Sequence, residues 1–340
     1  MTDFFSTKRG LVRYGACFLP ALYIVAGCAG SAPVRTPSEN FDSRIRIVVI
    51  HHTTADFAES LNILTKSSDN PVSSHYLIPE PGDPSYKNKK LETYKLVPEA
   101  DRAWHAGKSY WGGRTALNDQ SIGIEIVNQT YCHNSTVPGP VANATGKAAA
   151  GTLDDAPRTN PIGHMEVSEI PGSICFYPDF PEPQISLLVA LLADIKARYP
   201  EIEPVNYVGH SDIAPDRKID PGPRFPWQYL YRLGYGAWFD DATVIRYFER
   251  FRLAPPPLTS VQRALNTYGY GIEATGRLDQ QTADVLRAFQ LHFRPASVTG
   301  KLSIETTAVL FALIEKYFPE RLDDLLAAPG SATSPSHELH

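Results

Sequence analysis

The chain has 340 residues, 43% hydrophobic and 20% charged, so it suits two globular domains of ordinary composition. A formal net charge of −5, a pI near 6.1 and the lack of a basic arm or block of like charges exclude nucleic acid as an expected partner.

In chain order, residues 1–28 read as a leader. Lys8, Arg9 and Arg13 precede a short apolar stretch, Tyr14 to Ala26, that is too short to span a bilayer as a stable helix. Val25-Ala26-Gly27-Cys28 resembles a bacterial lipobox, with Cys28 the expected lipidation site; a plain signal peptide with an incidental cysteine is the alternative. Ala29, where Asp would retain the protein at the inner membrane, resembles the outer-membrane sorting pattern of Gram-negative bacteria. The expected location is the periplasmic face of the outer membrane, held by an N-terminal lipid anchor.

Residues 29–43 form a polar tether, and 44–250 carry an α/β pattern. Arg44–Ile50 is a β-branched, buried strand, and Ser121–Val127 is a second with Glu125 inside it. Between them and a helix over Ile185–Tyr199, residues 128–183 form a Gly/Ala/Pro/Thr-rich insertion. Its two cysteines, Cys132 and Cys175, are expected to pair in an oxidising compartment; two free thiols is the alternative. Val205–Val208 is a third strand. Residues 251–257 read as a Pro-stiffened linker, 258–320 as a small three-helix module, and 321–340 as a disordered tail. Within the module Gly-x-Leu-x-x-x-Thr occurs twice, at Gly276–Thr282 and Gly300–Thr306, each opening an amphipathic helix.

The chemistry sits at strand ends. No HExxH, GxSxG or Gly-rich phosphate loop is present. His51 follows the first strand and His210 the third, and Asp220 lies ten residues on, before Pro221-Gly222-Pro223. Two imidazoles and a carboxylate are a catalytic zinc set with a fourth position open. From these residues alone, structural histidines and a metal site remain equal alternatives.

IVVIHHTT, SSHYLI, WHAG, SIGIEIVN and GHSDIAPDRKIDPGPRFPW occur in that order. Together they resemble the zinc-dependent N-acetylmuramoyl-L-alanine amidases of the Amidase_2 family, which include AmpD-like enzymes and peptidoglycan recognition proteins. The lipobox and helical module resemble its AmiD-type outer-membrane lipoprotein branch. The resemblance implies a central mixed β-sheet flanked by helices, then a helical module similar to peptidoglycan-binding domains. It implies Zn2+ held by His51, His210 and Asp220, with Glu125 moving protons and Lys218 stabilising the oxyanion. Cleavage of the bond between N-acetylmuramic acid, or its anhydro form, and L-alanine of the stem peptide follows, by a monomer. Tandem His52 is expected to face away from the metal, and Trp104, His105, Ala106 and Gly107 to shape a substrate groove. Asp212, Asp216 and Arg217 read as solvated or hydrogen-bonded turn residues. The alternatives are a non-catalytic muropeptide-binding protein and a structural tether from outer membrane to cell wall.

Overall fold

The computed structural model of the protein describes residues 35–40, 42–134 and 173–327. Cys28, most of the 128–183 insertion and the last 13 residues of the 321–340 tail lie outside them. The chain divides into two compact units between Asp42 and Ser43. In the first, residues 35–40 and 42 hold no helix or strand.

The second unit is built on a five-stranded sheet. Its strands are β1 (Ile47–Thr53), β2 (Tyr76–Ile78), β3 (Tyr94–Lys95), β6 (Ser121–Val127) and β9 (Tyr207–Gly209), in the order β3-β2-β6-β1-β9. All neighbours are parallel except β3, which pairs antiparallel at the edge, so the sheet is mixed as expected. Every residue of β1 and β6 is buried, because helices cover both faces of the near-continuous Ile/Val runs. Helix α1 (Phe57–Thr65) is capped by the Asp56 carboxylate accepting from Glu59 N–H, and α2 (Glu182–Arg198) buries Ile185, Leu188, Leu191, Leu192 and Ile195. A short ribbon, β4 (Tyr110–Trp111) with β5 (Arg114–Thr115), stands apart from the sheet. In a second ribbon, β7 (Tyr131–Asn134) and β8 (Ser173–Phe176), the backbone register sets Cys132 opposite Cys175 at the base of the insertion.

Two expected strands are shifted at both ends, to Ile47–Thr53 and Tyr207–Gly209, and both shifts matter for the site. Strand β1 does not stop at Ile50: His51, His52 and Thr53 continue the ladder against Glu125, Ile126 and Val127. The third strand is displaced, because Pro204 opens a 3-10 turn over Pro204–Asn206 and pairing begins only at Tyr207.

Past the sheet come α3 (His210–Ile213), α4 (Trp227–Arg232), α5 (Asp241–Leu253), α6 (Leu258–Tyr268), α7 (Gln280–Phe293), α8 (Ile304–Tyr317) and α9 (Leu322–Leu326). The helical part is larger than the 258–320 module. Helix α5 packs on α8 through Phe251 against Phe311, and Glu315 accepts from both Arg246 and Tyr247. Only Ala254–Pro257 of the expected linker is non-helical, and α9 buries Leu325 in what was expected to be tail. The repeat has a simple cause. Gly276 and Gly300 take left-handed φ of 70° and 66°, and Asp279 and Ser303 then cap α7 and α8 by accepting from Thr282 N–H and Thr306 N–H. Gln262 and Gln290 repeat as well: each accepts from the glycine N–H and donates to the threonine hydroxyl.

Candidate metal centre and active site

The sheet order brings the strand-end residues together. Ile50 pairs with Gly209, so His210 emerges beside His51, and the same register sets Glu125 next to His51 on the other side. His51 Nδ1 lies 2.9 Å from His210 Nδ1, and Asp220 Oδ2 lies 3.2 Å from each. Among the described residues this is the group of histidines and carboxylates spaced to hold one metal ion.

The loop that delivers Asp220 is folded back on its own start. Ser211 N–H donates to Asp220 O at 2.9 Å, while Ala214 O accepts from the N–H groups of Arg217 and Lys218. Gly209 allows this closure: a Cβ there would stand 2.7 Å from Pro221 Cδ. The segment from Gly209 to Asp220 is thus one helical turn followed by a turn-rich return to the donor cluster.

The donors fit a zinc ion. The Ser121 hydroxyl donates to Leu117 O at 2.6 Å, so its oxygen accepts from His105 Nε2 at 3.2 Å. His105 Nδ1 is then an acceptor, and takes the Nε2 proton of His51 at 2.9 Å. That fixes the lone pair of His51 on Nδ1, facing His210 and Asp220. Tetrahedral zinc with bonds of about 2.0–2.1 Å would separate its donors by about 3.3 Å, close to the observed spacing. Burial lowers the His210 pKa to about 3 and keeps the ring neutral. Burial also pushes the Asp220 carboxyl up, but His210 and His51 outweigh it and hold the group well below its ordinary value. The donor set is two imidazoles and one carboxylate.

His105 therefore has a different place from the one expected of it. It backs His51, and Gly123 makes room: a Cβ on Gly123 would lie 2.4 Å from the imidazole. Ala106 is fully buried, so neither it nor the nitrogens of His105 are available to a substrate. Of the four groove candidates, Trp104 (49% exposed) and Gly107 remain at the surface. Arg217 is the hydrogen-bonded one of the two kinds of turn residue expected: it donates to Ala106 O and Lys108 O and straps this segment to the loop that carries Asp220. His75 accepts from Gly123 N–H and donates to Asp101 O, a structural use of both nitrogens. Replacing His105 with Ala is expected to weaken zinc binding about 10–100-fold, as loss of a ligand's supporting partner does; competition with a chromogenic chelator measures it.

Glu125 is buried, with Oε2 unpartnered, and burial raises its pKa to about 7. Lys218 is also buried; burial lowers its pKa, and Asp220 and Glu125 partly offset that. His52 lies outside the donor group and uses Nδ1 on Pro221 O at 3.2 Å, bracing the proline after Asp220. The cavity bordered by His51, His210, Asp220, Glu125 and Trp104 measures about 30 Å³, room enough for water. A larger cleft of about 1050 Å³ lies elsewhere, between residues 107–116 and 213–216 and the helices, and holds none of the donors.

Residues 41–223 match the family model for N-acetylmuramoyl-L-alanine amidase, and residues 255–310 match one for a peptidoglycan binding domain. The chain is 38% identical over 308 residues to the N-acetylmuramoyl-L-alanine amidase AmiD of Escherichia coli, covering 87% of this chain and 96% of that one. Among solved structures, AmpDh3 of Pseudomonas aeruginosa superposes with a TM-score of 0.68 at 41% identity, covering 85% of this chain and 98% of that one. It has also been solved in complex with an anhydromuramic pentapeptide. E. coli AmiD in complex with anhydro-N-acetylmuramic acid-L-Ala-D-γ-Glu-L-Lys superposes with a TM-score of 0.62 at 37% identity, covering 83% of this chain and 93% of that one.

Proposed function

Because the chain belongs to the N-acetylmuramoyl-L-alanine amidase family, we propose that His51, His210 and Asp220 hold zinc for the hydrolysis this family performs. The bond cleaved joins the lactyl carbonyl of N-acetylmuramic acid to the L-alanine nitrogen of a stem peptide, in cell-wall turnover. The observation that supports the metal assignment is the convergence of three donors, one with its lone pair fixed by His105, beside an unpartnered buried carboxylate.

When bound, zinc supplies Lewis acidity that polarises the amide carbonyl and makes water a nucleophile near neutral pH. Glu125 takes the proton from the attacking water on Oε2 and passes it to the departing alanine nitrogen. A carboxyl with a pKa near 7 suits both transfers. The Lys218 ammonium, buried and within electrostatic reach of Asp220 and Glu125, stabilises negative charge developing on the carbonyl oxygen. His105 and Ser121 keep His51 in one tautomer and orientation throughout. Trp104 at the rim offers a flat apolar face to the sugar or peptide.

The substrate proposed is a muropeptide with an anhydromuramic end, on the ground that the AmpDh3 and AmiD structures are complexes with such compounds. Attachment through a lipidated Cys28 to the periplasmic face of the outer membrane is the proposed setting. It is supported by the lipobox-like Val25–Cys28; among the described residues no helix is long and apolar enough to cross a membrane.

Protein lacking residues 1–28 is expected to release free stem peptide from isolated anhydromuropeptides. Mass spectrometry of the products checks this, and no release even with added zinc would sink the activity. In cells the full chain is expected in the membrane fraction, and Cys28→Ser protein in the soluble fraction.

A further inference from the structure

Asp212 lies two residues after His210, in the single turn of α3, and is fully buried. An ionised carboxylate in such a place is costly unless donors meet it, and three do. Gly209 N–H donates to Oδ2 at 2.7 Å, His292 Nδ1 donates to the same oxygen at 2.8 Å, and the Tyr270 hydroxyl donates to Oδ1 at 2.6 Å. The first donor belongs to the metal loop. The other two come from the helical part: Tyr270 just past α6 and His292 near the end of α7, both inside residues 255–310.

The surroundings make this contact rigid. The His292 ring stacks on Trp227 of α4 at 3.9 Å and 15°. Trp111 of β4 packs edge-on to Tyr270 and lies so close to Gly269 that a Cβ there would come within 2.7 Å. Arg287 of α7 donates to Pro215 O on the metal loop itself. On the other side of the joint, the backbone that Asp212 grips is the same backbone on which Asp220 is hung. Gly209 abuts Pro221, and Ser211 N–H donates to Asp220 O.

We propose that Asp212 is a positioning residue for the metal centre and that the helical part, through Tyr270 and His292, is a structural component of the active site. Tyr270 and His292 hold the carboxylate, the carboxylate holds Gly209, and Gly209 and Ser211 set His210 and Asp220 at metal-binding distance. The helices thus have a task at the catalytic centre independent of any contact with the cell wall. The inference rests on His210 and Asp220 being metal ligands.

The test uses the full soluble chain and measures zinc affinity by chelator competition, thermal stability of the zinc-free protein, and kcat and KM at saturating zinc. Asp212→Asn keeps the shape but cannot accept from all three donors, and is expected to weaken zinc binding about 10–100-fold. Tyr270→Phe removes one donor and keeps its ring, His292→Phe removes the other and keeps an aromatic ring to stack on Trp227, and each is expected to weaken it about 10-fold. In the two double variants with Asp212→Asn the losses should be less than additive, because one network carries them. With zinc saturating, kcat should recover in the two Phe variants and KM should not move. Tyr247→Phe is the control: it loses an equally short hydroxyl–carboxylate bond, to Glu315, away from the metal loop. It should lower stability and leave zinc affinity alone. If Asp212→Asn and Tyr270→Phe lose stability as the control does and bind zinc as the wild type does, the role is only structural and the proposal falls. A wild-type protein that binds no zinc overturns the metal assignment, and this proposal with it.

Discussion

Glu125→Gln is expected to lower turnover by about 10²–10⁴-fold, the range for loss of a positioned general acid–base group, with zinc retained and KM little changed. Glu125 occupies the middle of a strand whose every residue is buried, and its Oε2 has no hydrogen-bond partner. Buried polar groups in folded proteins are nearly always satisfied, and exceptions concentrate where chemistry is done. Stability gains nothing from a lone carboxyl at this point in the sheet, because burial drives its pKa up to about 7. The register sets it beside the donor cluster, since Glu125 pairs directly with His51 across β1 and β6. Gln fills the same volume and keeps an acceptor oxygen, but cannot take a proton from water. The variant should therefore fold and melt at or above the wild-type temperature. Steady-state kinetics with metal analysis checks both halves. Zinc lost along with turnover would make Glu125 a structural or ligand group. Turnover within tenfold of the wild type would exclude it as the proton carrier.

The parts of the site legible in the sequence were those with a local signature. β-branched runs announced β1 and β6, and a buried strand with one glutamate is conspicuous in any reading. The Gly209–Trp227 segment could be recognised by composition, and its pairing with His51 by motif order. What could not be read were contacts between segments far apart in sequence. His105 resembles a groove residue when WHAG is read by itself. Its real partners are His51, 54 positions before it, and Ser121, 16 after it. The one local hint was Gly123, a glycine inside a strand, which can mark the close approach of another group. Asp212 seemed a turn carboxylate because its two helical donors lie 58 and 80 residues downstream. The boundary of the helical part slipped for a related reason: α5 and α8 join through Glu315 and an aromatic pair, and the Pro-rich stretch after α5 looks like a domain linker.

Asp220→Ala is expected to abolish zinc binding at micromolar metal, and with it all turnover above that of chelator-treated wild type. Asp220 is the anionic member of the donor set. Its carboxyl stays ionised although buried, because the imidazoles of His210 and His51 outweigh the effect of burial. Without it the remaining Nδ1 atoms face each other at 2.9 Å. The His51 lone pair is fixed by His105, so His210 must turn its ring or take a proton, and burial opposes the proton. Two neutral nitrogens then compete with water for the ion. The loop itself should survive, since Ser211 N–H bonds the backbone oxygen of residue 220 and not its side chain. The variant therefore separates loss of metal from loss of fold. A ligand at 100 times its Kd stabilises the native state by about 2.7 kcal/mol, so zinc should raise the melting temperature of the wild type and of Glu125→Gln. It should leave that of Asp220→Ala unchanged. Calorimetry of the three proteins with and without zinc reads this directly. One equivalent of zinc held by Asp220→Ala with wild-type affinity would remove the carboxylate from the ligand set. The two variants fail in opposite ways, one keeping the metal without the proton carrier and the other the proton carrier without the metal. Turnover lost in both variants, with zinc response kept in one and lost in the other, is the pattern a zinc amidase built on these residues has to produce.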